Sequence, residues 1–380
     1  MSVSARQWLD KINQLPLSRP VKIMNVCGGH ERSISQAGLR ALLPDSVQLI
    51  PGPGCPVCIC PEEDVYQVMQ LALNEDLILV AFGDMLRVPV NVPKKEPRSL
   101  EQAKAAGADI RPIASPLDAV AIAQSNSTQT VVFFAAGFET TTAPVAAMIR
   151  EGVPKNLLVF LSGRLTWPAV EMLLDSDKPG FDGLIAPGHV STVMGPQEWQ
   201  FVVDRHRMPT AVAGFHAQSL LAAIYSVLRQ WVEGKAFLDN CYPEVVKDGG
   251  NASAQQCLSQ TMDVVDANWR GVGEIPRSGY QLKEQYAAHD ARKQLPSYFD
   301  ESRRRIGEMP PGCDCAKVVL GKILPNQCRL FAKACRPRTP IGPCMVSDEG
   351  ACRIWWTAGA RENRFIRENK NQVSLKSSAL

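Results

Sequence analysis

The sequence predicts an α/β fold: two small Rossmann-like parallel-sheet units around a cleft, followed by an irregular C-terminal domain. Three observations carry this. From residue 21 to about 235, short apolar runs closed mostly by Gly or Pro alternate with helix-periodic stretches. The apolar runs are continuous rather than alternating in polarity, as parallel strands buried on both faces are. Beyond residue 310 the periodicity stops, and Cys, Pro and Gly crowd the chain.

Taken in order, "MSVSARQWLDKINQLP" reads as an amphipathic helix within residues 1–20 and is expected to pack on the C-terminal domain. It lacks the continuous apolar core of a signal peptide. The strand candidates are "VKIMNV", "VQLIPG", "LILVAFG", "TVVFFAAGF", "LLVFLSG", "GLIAPG" and "TAVAGF". Helical patterns lie between several of them, as in "EEDVYQVMQLALNE", "TAPVAAMIREG" and "WPAVEMLLDS". Seven strands suit one sheet, but the polar stretches "NVPKKEPRSLEQAKAAGAD" and "SNSTQ" favour two units, 21–128 and 129–235. "QSLLAAIYSVLRQWVEG" is a long helix that closes the second unit. The remainder, 236–380, starts irregular and polar and ends in a tail, "ENKNQVSLKSSAL", that reads as disordered.

Composition excludes several classes. The net charge of +3 over 380 residues, with no Lys/Arg block, makes no electrostatic case for nucleic acid. No window approaches the roughly 18 apolar residues needed to span a membrane. Neither a phosphate-binding loop nor a dinucleotide fingerprint follows any strand, which leaves a nucleotide-dependent enzyme with little support. A cytoplasmic protein is expected.

Twelve cysteines then need a reason, because cytoplasmic thiols stay reduced. Four lie between Cys27 and Cys60 and six between Cys313 and Cys352; only Cys241 and Cys257 fall outside and read as structural. The six form C-x-C-x12-C-x6-C-x8-C-x7-C, with neither the paired CxxC of zinc sites nor the bacterial ferredoxin run. A segment so poor in apolar residues needs a metal as a staple. Four thiolates from different directions suit a cubane iron–sulfur cluster, and the other two could form a redox-active pair; one structural zinc with two incidental thiols is the alternative.

Upstream, "NVCGGHE" sets Cys27 after a strand and before two glycines, where backbone amides can approach whatever the sulfur holds. An amide nest or a nearby cation would favour the metal-binding thiolate; otherwise Cys27 is a small buried hydrophobe. In "PGPGCPVCIC", Cys55 and Cys58 form either a disulfide or a two-thiolate grip on a metal. His30 and Glu31 fall in the first turn of a helix, where they orient the thiolate or merely cap the helix. Glu139 of "GFETT" and His189 of "APGHVS" occupy strand-end loops, the usual ligand position in open α/β sheets. Glu139 equally suits helix capping. Asp84 and Arg87 of "FGDMLRVP" either pair locally or line the cleft.

Together "NVCGGHE", "PGPGCPVC", "GFETT" and "CDCAKVVLGKILPNQCRLFAKACRPRTPIGPCMVSDEGAC" closely resemble the HypD family of hydrogenase maturation factors, over roughly residues 15–358. The resemblance implies a C-terminal iron–sulfur domain, with [4Fe-4S] ligands spaced C-x14-C-x6-C-x16-C on Cys313, Cys328, Cys335 and Cys352. Cys315 and Cys344 then resemble the redox-active disulfide beside the cluster in ferredoxin–thioredoxin reductase. It further implies a scaffold, not a classical turnover enzyme, that works with a small HypC-type partner and a HypE-type cyanide donor. On it, iron acquires two cyanides and one CO before entering [NiFe]-hydrogenase. Cys27 matches the cysteine that shares this iron with HypC, and Cys55 and Cys58 match the CxxC required for the same step. Electrons would pass from the cluster through Cys315/Cys344 to Cys55/Cys58. The alternative is an iron–sulfur-dependent protein thiol–disulfide reductase, which needs neither Cys27 nor His30. One residue departs from the family pattern: Cys60 extends the motif, as an inert thiol or as a competitor of Cys58.

Overall fold

The computed structural model describes residues 3–93, 95–299 and 309–359. The tail 368–380 lies outside the described residues. The strands, in chain order, are β1 (Val21–Asn25), β2 (Val47–Pro51), β3 (Leu77–Phe82), β4 (Ile110–Ile113), β5 (Thr130–Gly137) and β6 (Leu157–Gly163). They continue with β7 (Gly183–Pro187), β8 (Thr210–Ala213), β9 (Leu238–Asn240), β10 (Met262–Trp269) and β11 (Gly273–Leu282). Two wholly parallel sheets result, one ordered β2-β1-β7-β8-β9 and the other β4-β3-β5-β6. From Val131 to Gly137, β5 is buried along its whole length, as a central strand covered by helices on both faces must be.

The division at residue 128 does not match these sheets. The chain builds β1 and β2, leaves to lay down all four strands of the second sheet, and returns to add β7 on the free side of β1. The run Leu77–Ile113, assigned to the first unit, joins the sheet of β5 and β6 instead, with β3 paired to β5. Parallel strands need long crossovers, so chain proximity does not choose their neighbours. The polar stretch around residue 128 is simply the turn before β5.

The N-terminal helix Ala5–Asn13 also lands elsewhere than expected. Its Trp8 ring packs 5.3 Å from Tyr225, and Ile12 is buried in a cluster with Val21, Ile23, Leu220 and Ile224. Its apolar face therefore covers the Ala217–Val232 helix on the first sheet, not the C-terminal domain.

Residues 236–282 are more regular than their composition suggests. β9 extends the first sheet, and the Ala252–Thr261 helix packs on the Glu139–Glu151 helix. β10 and β11 pair antiparallel with a register shift between Val265 and Ala267. Pro276, Ser278 and Gly279 hide β11 from a propensity reading. The irregular part is 309–359, made of short turns and two short helices, Cys315–Val319 and Ala351–Thr357. Among the described residues, no helix is long and apolar enough to cross a membrane.

Candidate functional site

The site forms where the carboxyl ends of both sheets face the cysteine-rich segment. Cys27, His189 and Phe215 each stand two residues beyond β1, β7 and β8, and Glu139 and Thr166 stand just beyond β5 and β6. One small cleft is lined by Cys27, Pro56, Thr140, Thr141, Thr166, His189 and Glu349. A second cavity behind it is lined by Cys27, Cys55, Cys344, Glu31 and Glu349.

Cys27 occupies the N-cap of the Gly28–Gln36 helix and makes no side-chain cap hydrogen bond, but the Gly29 and His30 amides face its sulfur closely enough to favour the thiolate. Burial, seconded by the Glu349 carboxylate, nevertheless pushes the thiol up to about 12. The metal-free protein keeps that proton, and an ion binding here must displace it. Two glycines make the approach possible. A Cβ on Gly28 would lie 2.5 Å from the Glu349 carbonyl oxygen, and one on Gly54 only 1.5 Å from that of Val26.

The His30 and Glu31 side chains are hydrogen-bonded to groups other than Cys27. His30 is fully buried, its Nε2 hydrogen donates to the Ala213 carbonyl at 2.9 Å, and Nδ1 has no partner. Burial lowers it to about 4, so the ring is neutral. Glu31 accepts from Asn25 Nδ2 at 3.0 Å, Arg40 Nη2 at 2.8 Å and Trp355 Nε1 at 2.6 Å. It therefore ties the Cys27 helix to β1 and to the cysteine-rich segment.

Cys55 and Cys58 are joined in a disulfide with 5.3 Å between Cα atoms. Pro56 opens the short helix Pro56–Ile59 that carries Cys58, where a missing N–H costs nothing. Cys60 points away, its sulfur 3.6 Å from Ser162 Oγ, and burial pushes its thiol up to about 12. It is placed as an inert thiol, not as a competitor of Cys58.

Glu139 is fully buried and accepts from the Thr166 amide at 2.6 Å and hydroxyl at 2.7 Å. It meets the cleft only through Thr166. Burial raises its carboxyl to about 7. Because the folded form holds the proton more tightly than the unfolded chain, Glu139 weakens the fold as pH rises from about 4.5 through 7. Glu139→Gln is expected to remove that loss, gaining up to about 3 kcal/mol on the parent at pH 8 and nothing at pH 4. Urea denaturation at the two pH values checks this; equal differences at both would refute it. Arg87 donates to the Pro337 carbonyl at 2.7 Å and so makes neither proposed contact, while exposed Asp84 lies near enough to Glu349 to help raise it.

In the tail, Cys313, Cys315, Cys328, Cys335 and Cys352 line one small cavity closed by Leu330, Phe331 and Met345. A Cβ on Gly342 would sit 2.5 Å from Cys313 Sγ and 3.1 Å from Cys315 Sγ, so glycine is what leaves the thiols room. Backbone amides already point at sulfur: Ile341 to Cys335 at 3.4 Å and Cys344 to Cys315 at 3.2 Å. Cys344 lines the cavity shared with Cys27 and Cys55, while its sulfur also accepts from the Cys352 amide at 3.4 Å and lies within hydrogen-bond reach of the Cys315 and Cys352 thiols. Among the described residues no three ligating side chains converge on one point, the arrangement a single ion needs. Thiols on several sides of one cavity are the donor set a multi-atom cluster would need. A larger cleft, about 470 Å³, lies apart from all this against the β10–β11 hairpin, and its buried Asp64 is already paired with Arg164 and Arg292.

The sequence reading missed Glu349, Thr166 and Phe215. Glu349 has only its place in "SDEGAC", three residues before Cys352, to signal it; the others sit in strand-end loops that looked unremarkable without the fold.

Two parallel sheets meeting at a cleft that holds Cys27, with further cysteines around the cavities behind it, define an α/β protein with a thiol-rich candidate site. Residues 3–359 match the family model for HypD, described as the hydrogenase formation hypA family. The chain is 40% identical over 351 residues to the hydrogenase maturation factor HypD2 of Bradyrhizobium diazoefficiens, covering 90% of each. It is 40% identical over 348 residues to HypD of Rhodobacter capsulatus, again covering 90% of each, and 38% over 349 residues to HypD of Escherichia coli, covering 91% of each. The chain belongs to the HypD family of hydrogenase maturation factors.

Proposed function

We propose that the chain is the cytoplasmic scaffold on which, with a HypC-type partner and a HypE-type cyanide donor, the Fe(CN)2CO unit of [NiFe]-hydrogenase is assembled and reduced. One observation carries the reading: Cys27, Cys55 and Cys344 line a single cavity. Cys27 holds the iron substrate as thiolate, a soft donor suited to low-spin, electron-rich Fe(II). Glu349 and His189 share the cleft and can hydrogen-bond what the iron carries.

Cys313, Cys328, Cys335 and Cys352 would hold a [4Fe-4S] cluster, which supplies single electrons when bound. The turn carrying Cys344 packs on the Pro56–Ile59 helix. A Cys315/Cys344 dithiol can therefore reduce Cys55–Cys58 by exchange: one disulfide opens as the other closes, and two electrons and two protons move. The protein reductase alternative is disfavoured by burial, since Cys55 is 4% and Cys58 2% exposed, out of reach of another protein's disulfide.

Oxygen-free co-purification with the partner, followed by infrared spectroscopy, tests the scaffold: cyanide and CO bands support it, and iron without them overturns it. Iron and sulfide analysis tests the cradle. Cys328→Ala is expected to abolish the cluster and Cys315→Ala to leave it nearly intact. Equal loss in both, or zinc in the parent, would refute the ligand assignment.

A further inference from the structure

We propose that Phe215 is a positioning residue of the cleft: its ring holds the His189 imidazole beside Cys27 and separates it from His30. The role of that imidazole rests on the scaffold reading above. Phe215 follows Gly214 at the end of β8 and is stacked on His189 with ring centroids 3.8 Å apart and planes at 23°. It also meets His30, with ring centroids 4.9 Å apart and planes tilted by 37°. Phe215 thus touches both an exposed imidazole, His189 at the cleft, and a fully buried one, His30.

The ring is itself tightly confined. Tyr242 meets it edge-on at 6.3 Å, and a Cβ on Gly214 would lie 2.6 Å from the Tyr242 ring. A Cβ on Gly29 would lie 2.8 Å from Phe215 Cε1 and 3.5 Å from Cys27 Sγ. The second glycine of "NVCGGHE" therefore lets the aromatic edge come down beside the sulfur.

His189 depends on that ring. Among the described residues it makes no hydrogen bond, so nothing but stacking selects one of its rotamers. A free imidazole at a cleft mouth samples several orientations, whereas a stacked one keeps a nitrogen at one place on the rim. That is the condition for donating a directed hydrogen bond to a cyanide nitrogen on iron held at Cys27. Burial lowers the His189 pKa, consistent with a ring covered on one face. The titratable groups around it are Cys27 and Glu349 in the cleft and His30 across the Phe215 ring.

The test uses the full chain with Phe215→Leu, which keeps apolar bulk without the flat ring, and Phe215→Tyr, which keeps the ring. In the iron-free protein, NMR titration of His189 is expected to move up toward 6.5 in the Leu variant and to stay at the parent value in the Tyr variant. In the partner complex, the cyanide bands should broaden or shift with Leu and match the parent with Tyr. An unchanged His189 titration in Phe215→Leu overturns the proposal, as do unchanged bands despite a shifted titration. If the parent complex carries no such bands, the scaffold reading fails instead, and the iron-free titration alone decides whether Phe215 holds His189.

Discussion

Cys27→Ala is expected to give a folded protein that keeps its tail cluster and its partner but loses the cyanide and CO infrared bands and all support of hydrogenase activity. The fold should tolerate the change. Cys27 caps the Gly28–Gln36 helix through its backbone alone, and truncation removes one buried sulfur, worth about 1 kcal/mol. The metal should not tolerate it, because among the residues lining the cleft Cys27 alone carries a thiol, while Cys55 and Cys344 line the cavity behind it. Cys27→Ser keeps the volume but presents a harder, far less acidic donor, and should fail as well. Cys60→Ala is the control, since that sulfur faces Ser162. Normal hydrogenase maturation by Cys27→Ala would make "NVCGGHE" a packing motif and sink the scaffold assignment.

Glu31→Ala should show the largest loss of stability, about 3–5 kcal/mol. The substitution removes an acceptor from three donors at once, buried Asn25 Nδ2 and half-buried Arg40 Nη2 and Trp355 Nε1, keeps only the Ile50 and Leu49 carbonyls for the first two, and leaves the Arg40 guanidinium without its counter-charge. Arg40 also packs over the Trp355 ring at 5.0 Å, so the damage reaches the Ala351–Thr357 helix that carries Cys352. Urea denaturation reads the stability and limited proteolysis the loosening of 309–359. Glu31→Gln retains an acceptor for Trp355 and should fall between parent and alanine variant. A loss below about 1 kcal/mol would mean the carboxylate is not the tie its contacts describe.

Much of this was legible in the chain. "LILVAF", "TVVFFAAG" and "LLVFLSG" read as buried parallel strands because two covered faces demand an unbroken apolar run. Cys27, Cys55, Cys58 and the six tail cysteines stand out because the reducing compartment expected from the sequence would leave thiols few purposes besides chemistry. The side-chain roles of His30 and Glu31 were not legible. Both occupy the first helical turn that was expected, but their partners are Ala213 and Trp355, distant in sequence.

The sequence by itself determined the elements and the reactive groups, since strand burial, helix caps and metal-binding chemistry are properties of residue type and near neighbours. Tertiary structure alone decided that β1 lies beside β7 and not β3, that Glu349 reaches Cys27, and that Phe215 stands between two histidines. The reason is physical: a parallel strand leaves both of its edges open to any partner a crossover can reach. The choice is made by long-range packing of whole layers, which no local pattern records.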